Sequence, residues 1–139
     1  IRESAAELSL HGPRAAIIND IALPLDEIPT FFDRMAVALP KVDAGATDMT
    51  VAHLGDGNIH YTVRPASPDL KDAIMAMVEA EVRDLGGSFS AEHGVGLSKL
   101  NSMARHKPIS ALATMQAIKN AIDPAGILNA GKVIPPLES

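Results

Sequence analysis

The stretch 51–63 constrains the fold most strongly, because it has the pattern of two short strands joined by a tight turn. Its β-branched and apolar residues are interrupted in the middle by Gly-Asp-Gly-Asn at 55–58. Asp-Gly is the dipeptide best suited to the paired positive φ angles of a two-residue type I′ turn. With that Asp-Gly pair at the tip, the stretch forms a β-hairpin in which His53 lies directly opposite His60.

The predicted hairpin has two different faces, because side chains alternate along a strand. The histidine face carries Val51, His53, His60 and Thr62, and the apolar face carries Ala52, Leu54, Ile59, Tyr61 and Val63. Directly opposed residues have Cβ atoms roughly 5 Å apart, a separation from which two imidazoles can converge on one ion. We therefore expect one face to pack and the other to carry chemistry.

A second group of potential ligands lies downstream, where Glu92 and His93 are neighbours in the glycine-rich segment 86–96. Combined with His53 and His60, this segment provides imidazole and carboxylate donors that suit zinc, manganese or iron(II). Two imidazoles and one carboxylate leave a coordination position open, which is typical of a catalytic metal site. The alternative is a hydrogen-bonded histidine pair at the surface and a solvated acid. The presence of both motifs in one chain favours the metal site.

Glu92 and His93 can both serve one site only under a geometric condition. Adjacent side chains of an extended strand leave on opposite faces. Both reach one pocket only if the chain bends at or near Gly94, where a glycine permits unusual backbone angles. We therefore expect a bend in this segment.

Composition excludes several classes of function. A formal charge of −5, with one Tyr and three Phe as the aromatic residues, provides neither the basic surface nor the stacking platform of a nucleic-acid-binding protein. The absence of cysteine excludes disulfides and thiolate ligands and fits a reducing compartment, so we expect a cytoplasmic location. No apolar run reaches the roughly 18 residues of a membrane span.

The order of predicted elements indicates the fold class. Strand, helix, strand, strand, helix, strand is the order of a ferredoxin-like split βαβ arrangement, an α+β fold with an antiparallel sheet and both helices on one face. The helices begin at the N-caps Asp26 and Ser67, and Pro40 closes the first of them. The elements are a strand at 14–23, a helix at 25–39, the hairpin at 48–64, a helix at 67–85, a strand at 88–90, and C-terminal helices at 98–106 and 109–122.

Length and the first residue predict the domain organisation. The 139 residues suffice for a single domain with one core. The chain begins at Ile1 instead of Met, so we expect residues 1–139 to be one domain excised from a longer protein.

Three motifs, taken together and in this order, resemble a known family. They are His-Leu-Gly-Asp-Gly-Asn-Ile-His at 53–60, Ala-Glu-His-Gly-Val-Gly at 91–96, and Asp-Pro-Ala-Gly-Ile-Leu-Asn-Ala-Gly-Lys at 123–132. The chain is similar over nearly its whole length to the C-terminal domain of FAD-linked oxidases, a family that includes D-lactate and D-2-hydroxyglutarate dehydrogenases and the glycolate oxidase flavoprotein subunit.

The resemblance implies specific roles for residues. It implies that a divalent metal, zinc or manganese, is held by His53, His60 and Glu92. It implies that His93 is the base in substrate oxidation. The remaining implied positions are Asn129 and Lys132 near the flavin, and Arg2 and Thr62 at the substrate.

The resemblance also implies a reaction and its partners. The full-length enzyme would oxidise a 2-hydroxy acid to a 2-oxo acid with FAD, which the N-terminal FAD domain of the same chain would bind. No glycine-rich segment of that kind occurs in 1–139, so we expect this fragment alone to be inactive. Some members hold a substrate carboxylate with a lysine where this chain has Ile18. A homo-oligomer is compatible with this reading.

Two other classes of function stay open from the residues alone. The predicted fold also suits a ferredoxin-like small-molecule binding or dimerisation module. The predicted ligands also suit a metal-dependent hydrolase in which a zinc-bound water attacks and His93 is the base.

Overall fold

The computed structural model describes residues 15–53 and 55–136. The chain divides into two compact units, one ending at His93 and one beginning at Gly94. Across the described ranges, no helix combines the length and the apolar character needed to cross a membrane.

The first unit is built on a three-stranded antiparallel sheet. The strands are β1 (Ile17–Ala22), β2 (Thr47–His53) and β3 (Asn58–Arg64). The spatial order is β1-β3-β2, so β3 is central and pairs with both neighbours. This is the split βαβ arrangement, in which the hairpin partner separates two parallel strands, and the α+β prediction is confirmed.

Two helices cover one face of this sheet. α1 (Ile28–Val42) and α2 (Lys71–Asp84) each follow a short 3₁₀ turn, at Leu25–Glu27 and Pro68–Leu70. Helices and sheet share one core because the apolar stripe of each helix meets the apolar face of the sheet. The core includes Ile17, Ile21, Phe31, Met35, Leu39, Ile59, Tyr61, Val63, Ile74, Val78 and Val82. Burial of each such large apolar side chain contributes about 1.5–3 kcal/mol.

The predicted helix boundaries differ from the observed ones at three points. Asp26 lies inside a 3₁₀ turn and Ser67 makes no side-chain capping hydrogen bond, because a 3₁₀ turn precedes each α-helix and shifts its start. Pro40 lies inside α1, which continues to Val42. The proline occupies the last turn, close enough to the end that little of the helix is lost beyond it.

The predicted fourth strand at 88–90 is wrong in extent. Ser88 forms one isolated antiparallel bridge with Ala22 and no strand follows. The chain reaches this bridge through Gly86, at φ 74°, and Gly87, whose N–H donates to the carbonyl of Val82 over 2.8 Å, as in a Schellman cap. A Cβ at Gly87 would collide with the carbonyl oxygen of Ala22, so glycine allows this close approach.

The predicted register of the hairpin is also wrong. His53 pairs with Asn58, and His60 pairs with Val51. The connection is longer than a two-residue turn, and Gly57 has the positive φ of 74° whereas Asp56 does not. The N–H of Asn58 donates to Oδ1 of Asp56, which closes the connection locally. The observed pairing differs from the predicted one by two residues, an even number. His53 and His60 therefore still share one face, as predicted.

The second unit contains α3 (Leu100–His106) and α4 (Ile109–Ile122), in agreement with the predicted C-terminal helices. A 3₁₀ turn at Leu97–Lys99 precedes α3. Asp123 follows α4, and the segment after it turns repeatedly, with positive φ at Gly126, Asn129 and Gly131.

Candidate functional site

Asp20 lies at the centre of a polar cluster on the sheet face that α1 and α2 leave open. β1 places it directly opposite His60 in β3, and its exposed fraction is only 1%. Its Oδ2 accepts hydrogen bonds from the backbone N–H groups of Ala91, Glu92 and His93 over 3.2, 3.2 and 2.9 Å. The buried carboxylate therefore holds the downstream motif against the sheet.

This anchoring brings Glu92 and His93 to His60. Oε1 of Glu92 lies 3.2 Å from Nε2 of His60 and 3.7 Å from Nε2 of His93. The two imidazole rings are stacked with centroids 5.2 Å apart. The backbone bends through 91–93 and reaches Gly94 at φ 71°, so the expected bend is present and both side chains lie next to His60.

The donor atoms of this cluster fit a divalent metal. One ligand atom from each of Asp20, His60, Glu92 and His93 lies within 4.8 Å of the others. Ligands about 2.1 Å from a tetrahedral ion are about 3.4 Å from one another, so the two distances from Glu92 to the imidazoles already approach the required spacing. The nitrogen and oxygen donor set suits zinc or manganese.

His53 lies beside this group rather than in it. Its ring meets that of His60 edge-on, with centroids 5.5 Å apart, on the same face of the sheet. Among the described residues, the group of close donor atoms contains His93 and not His53. The assignment of His53, His60 and Glu92 as ligands, with His93 as base, stays a prediction.

The structure describes only one of the two predicted substrate residues. Thr62 is buried in β3, two residues from His60 and on the same face, where it is paired with Ile18 of β1. Ile18 is 42% exposed, which places an apolar side chain at the open surface of this face. Arg2 lies outside the described residues.

The predicted flavin-proximal residues lie in the second unit. Asn129 has a left-handed backbone with φ 48°, and its carbonyl accepts a hydrogen bond from the N–H of Lys132 over 3.1 Å. Asn129 and Gly131 line a cavity of about 400 Å³. This volume is at the lower end of the range for small-molecule pockets, which run from about 300 to 1,000 Å³.

Asp123 organises the wall of this cavity. Its carboxylate accepts N–H groups from Ile127 and Leu128 over 3.1 and 2.9 Å and is paired with Lys119. The Lys119 hydrogen bond, followed by the backbone N–H of Leu128, lowers the pKa of Asp123 to about 2. Nζ of Lys119 also donates to the carbonyl of Leu128 over 2.6 Å. Asp123 therefore holds the backbone N–H of Leu128, and Lys119 holds its carbonyl.

The sequence interpretation did not identify Asp20 as part of the site. The signal was an acid in the middle of the apolar strand Ile-Ile-Asn-Asp-Ile-Ala, because carboxylates are rarely buried without partners. Asn58 is a second buried polar residue that the sequence interpretation did not identify as part of the site. It is buried on the site face opposite His53, and its Oδ1 has no hydrogen-bond partner in the part of the chain that the structure describes.

Comparison with known proteins identifies relatives of this chain. D-2-hydroxyglutarate dehydrogenase, mitochondrial, from Rattus norvegicus is 44% identical over 119 residues, which cover 84% of this chain and 22% of that protein. The protein of the same name from Arabidopsis thaliana is 35% identical over 139 residues, covering 97% and 24%. D-lactate dehydrogenase [cytochrome], mitochondrial, from Arabidopsis thaliana is 33% identical over 127 residues, covering 87% and 22%.

The chain thus spans about a quarter of the length of these relatives. The family model described as FAD linked oxidases, C-terminal domain, matches residues 1–133. That match includes the Asp20 cluster and the Asn129 turn. The chain therefore belongs to the FAD-linked oxidase C-terminal domain family.

Proposed function

We propose that this chain is the substrate- and metal-binding part of a flavin-dependent dehydrogenase that oxidises a 2-hydroxy acid to a 2-oxo acid. The observation that carries the proposal is the convergence of His60, Glu92 and His93 around buried Asp20. Membership of the FAD-linked oxidase family supports it, as do relatives named as D-2-hydroxyglutarate and D-lactate dehydrogenases.

The overall reaction removes two electrons and two protons from the substrate. When bound, a divalent cation supplies a Lewis acid that lowers the pKa of the substrate hydroxyl, and FAD supplies the two-electron acceptor. His60 and Glu92, with His53 as the third ligand, would hold the cation. His53 and His60 lie on one face of the sheet, and the substrate would approach from that face.

His93 takes the hydroxyl proton in this proposal. Its side chain is 57% exposed, so a substrate can approach its ring from the open side. Its main-chain N–H donates to Oδ2 of Asp20, and this hydrogen bond fixes the position of the residue. A positioned base of this kind typically accelerates proton transfer by about 10² to 10⁴.

The substrate itself lies on the open sheet face in this proposal. Thr62 and Ile18 are paired there, next to the His60 and Asp20 pair. Some family members hold a substrate carboxylate with a lysine at this position, whereas Ile18 presents a hydrocarbon surface here. We therefore propose a monocarboxylic 2-hydroxy acid with a small apolar side chain.

Two variants of the full-length protein test this division of roles. Glu92→Gln should lower both zinc affinity and kcat, because it weakens a ligand. His93→Ala should spare zinc affinity and lower kcat by about 10²- to 10⁴-fold, the usual contribution of a general base. The measurements are zinc content after dialysis and reduction of bound FAD by 2-hydroxy acids such as D-lactate.

The result can contradict the proposal in two ways. If His93→Ala loses zinc while Glu92→Gln keeps it, the two roles are exchanged. If both variants keep full activity, the segment at 91–93 is structural and the reaction takes place elsewhere.

A further inference from the structure

We infer that Asp20 is a positioning residue that orients His60, so that Nδ1 carries the proton and Nε2 is free to bind a cation beside Glu92. The inference rests on the proposed function for the identity of that cation. The orientation itself follows from the geometry of the cluster, and its test does not depend on the cation.

The two carboxylate oxygens of Asp20 face different partners. Oδ2 accepts three backbone N–H groups from the segment 91–93, which saturates its capacity to accept. Oδ1 faces Nδ1 of His60 at 3.6 Å. Oδ2 already holds three donors and is a poor metal ligand, and within this inference Oδ1 acts on the imidazole of His60.

The contact between Oδ1 of Asp20 and Nδ1 of His60 selects one tautomer of His60. A separation of 3.6 Å is too long for a direct hydrogen bond, so the effect is electrostatic. A lone pair on Nδ1 would face the negative Oδ1, whereas an N–H there is attracted to it. Because the Asp20 side chain is only 2% exposed, solvent screens this interaction weakly.

Glu92 competes for the same imidazole from the other side at a distance within hydrogen-bond reach, and the inference is that its solvent-screened charge is the weaker influence. Oε1 of Glu92 lies 3.2 Å from Nε2 of His60, but the Glu92 side chain is 50% exposed and water screens its charge. With Nδ1 protonated, Nε2 turns a lone pair towards the Glu92 carboxylate. A cation between these two atoms removes the repulsion, which is the arrangement of a carboxylate–histidine–metal triad.

The substitution Asp20→Asn separates orientation from folding. The amide oxygen can still accept N–H groups from 91–93, while the amide NH₂ faces Nδ1 of His60 and requires a lone pair there. Asp43→Asn is the matched control. Asp43 is also a buried acid that accepts backbone N–H groups, from Gly45 over 3.0 Å and Ala66 over 2.6 Å, in the loop between α1 and β2.

The first measurement needs no metal. Two-bond ¹H–¹⁵N spectra of the metal-free 139-residue chain at about pH 8.5, where imidazole in water is neutral, report which ring nitrogen carries the proton. We expect His60 to be protonated at Nδ1 in the wild type and in Asp43→Asn, and at Nε2 in Asp20→Asn. Protonation at Nε2 in the wild type would overturn the inference, and this arm holds even if Asp20→Asn fails to fold.

The second measurement is zinc affinity by calorimetric titration of the same three proteins. We expect Asp20→Asn to bind zinc about 10- to 100-fold more weakly, and Asp43→Asn to bind as the wild type does. Equal affinity in all three overturns the role of Asp20 at the metal. If the wild type binds no zinc although His60 is protonated at Nδ1, the metal part of the proposed function is wrong and the orientation by Asp20 stands.

Discussion

Asp20 and His60 are directly paired across β1 and β3, with Oδ1 and Nδ1 3.6 Å apart. The same Asp20 carboxylate accepts the N–H groups of 91–93. The sheet register therefore places His60 opposite Asp20. The hydrogen bonds to Asp20 then hold Glu92 and His93 next to His60.

The first prediction concerns the third metal ligand. His53→Ala should weaken zinc binding at least tenfold, as His60→Ala should, because removal of one of three protein ligands leaves an incomplete site. Equilibrium dialysis of each variant with zinc measures the affinity. If His53→Ala binds as the wild type does and His93→Ala does not, the ligands are the close group of His60, Glu92 and His93.

The second prediction concerns substrate choice. In the full-length protein, Ile18→Lys should raise kcat/KM for dicarboxylic 2-hydroxy acids relative to monocarboxylic ones by about tenfold. A charge-assisted hydrogen bond contributes about 1.5 kcal/mol at the low end of its range, which corresponds to that factor. Leu25→Lys adds the same charge at a position 54% exposed outside the sheet and should leave the ratio unchanged. An unchanged ratio in Ile18→Lys would place the substrate elsewhere.

The third prediction concerns the tip of the hairpin. Gly57→Ala should destabilise the protein by about 2 kcal/mol or more, because φ is 74° and the new Cβ would collide with the carbonyl oxygen of Leu23. The carbonyl of Gly57 also accepts the N–H of Leu23 over 3.0 Å. Gly55→Ala is the control, since no described residue other than its chain neighbours lies within 4 Å of its added Cβ. Urea unfolding of both variants decides it, and equal midpoints would contradict the assigned contact.

The fourth prediction concerns stability at low pH. The pKa of Asp123 is lowered to about 2 in the folded protein from an ordinary 3.8, chiefly by the hydrogen bond from Lys119. The ionised form is therefore favoured by folding, and its contribution to stability is complete above about pH 4. It is lost as the pH falls from about 4 to 2.

Asp123→Asn should remove this pH-dependent part. The difference in unfolding midpoint between wild type and Asp123→Asn should be largest above about pH 4 and should shrink towards pH 2. Thermal unfolding followed by circular dichroism across that range measures it. A difference that stays constant with pH would show that the Asp123 carboxylate does not titrate as its contacts indicate.

Several features of this protein follow from the sequence because they depend on local periodicity. Because side chains alternate along the strands of 51–63, His53 and His60 share one face in the predicted register. They also share it in any register that differs from the predicted one by an even number of residues. The apolar spacing of α4 (Ile109–Ile122) and the Asp-Pro that follows it mark where that helix ends. The three motifs together were enough to predict the family.

Other features depend on contacts between distant segments, and only the tertiary structure decided them. The strand at 88–90 shrinks to a single bridge because the backbone at Ala91–His93 turns to donate to Asp20, 71 to 73 residues earlier. The hairpin register depends on Gly57, which is held by Leu23 of a different segment. No pattern within one segment encodes these long-range hydrogen bonds, so the sequence indicated which residues bear the chemistry, and the fold decided how Asp20 brings them together.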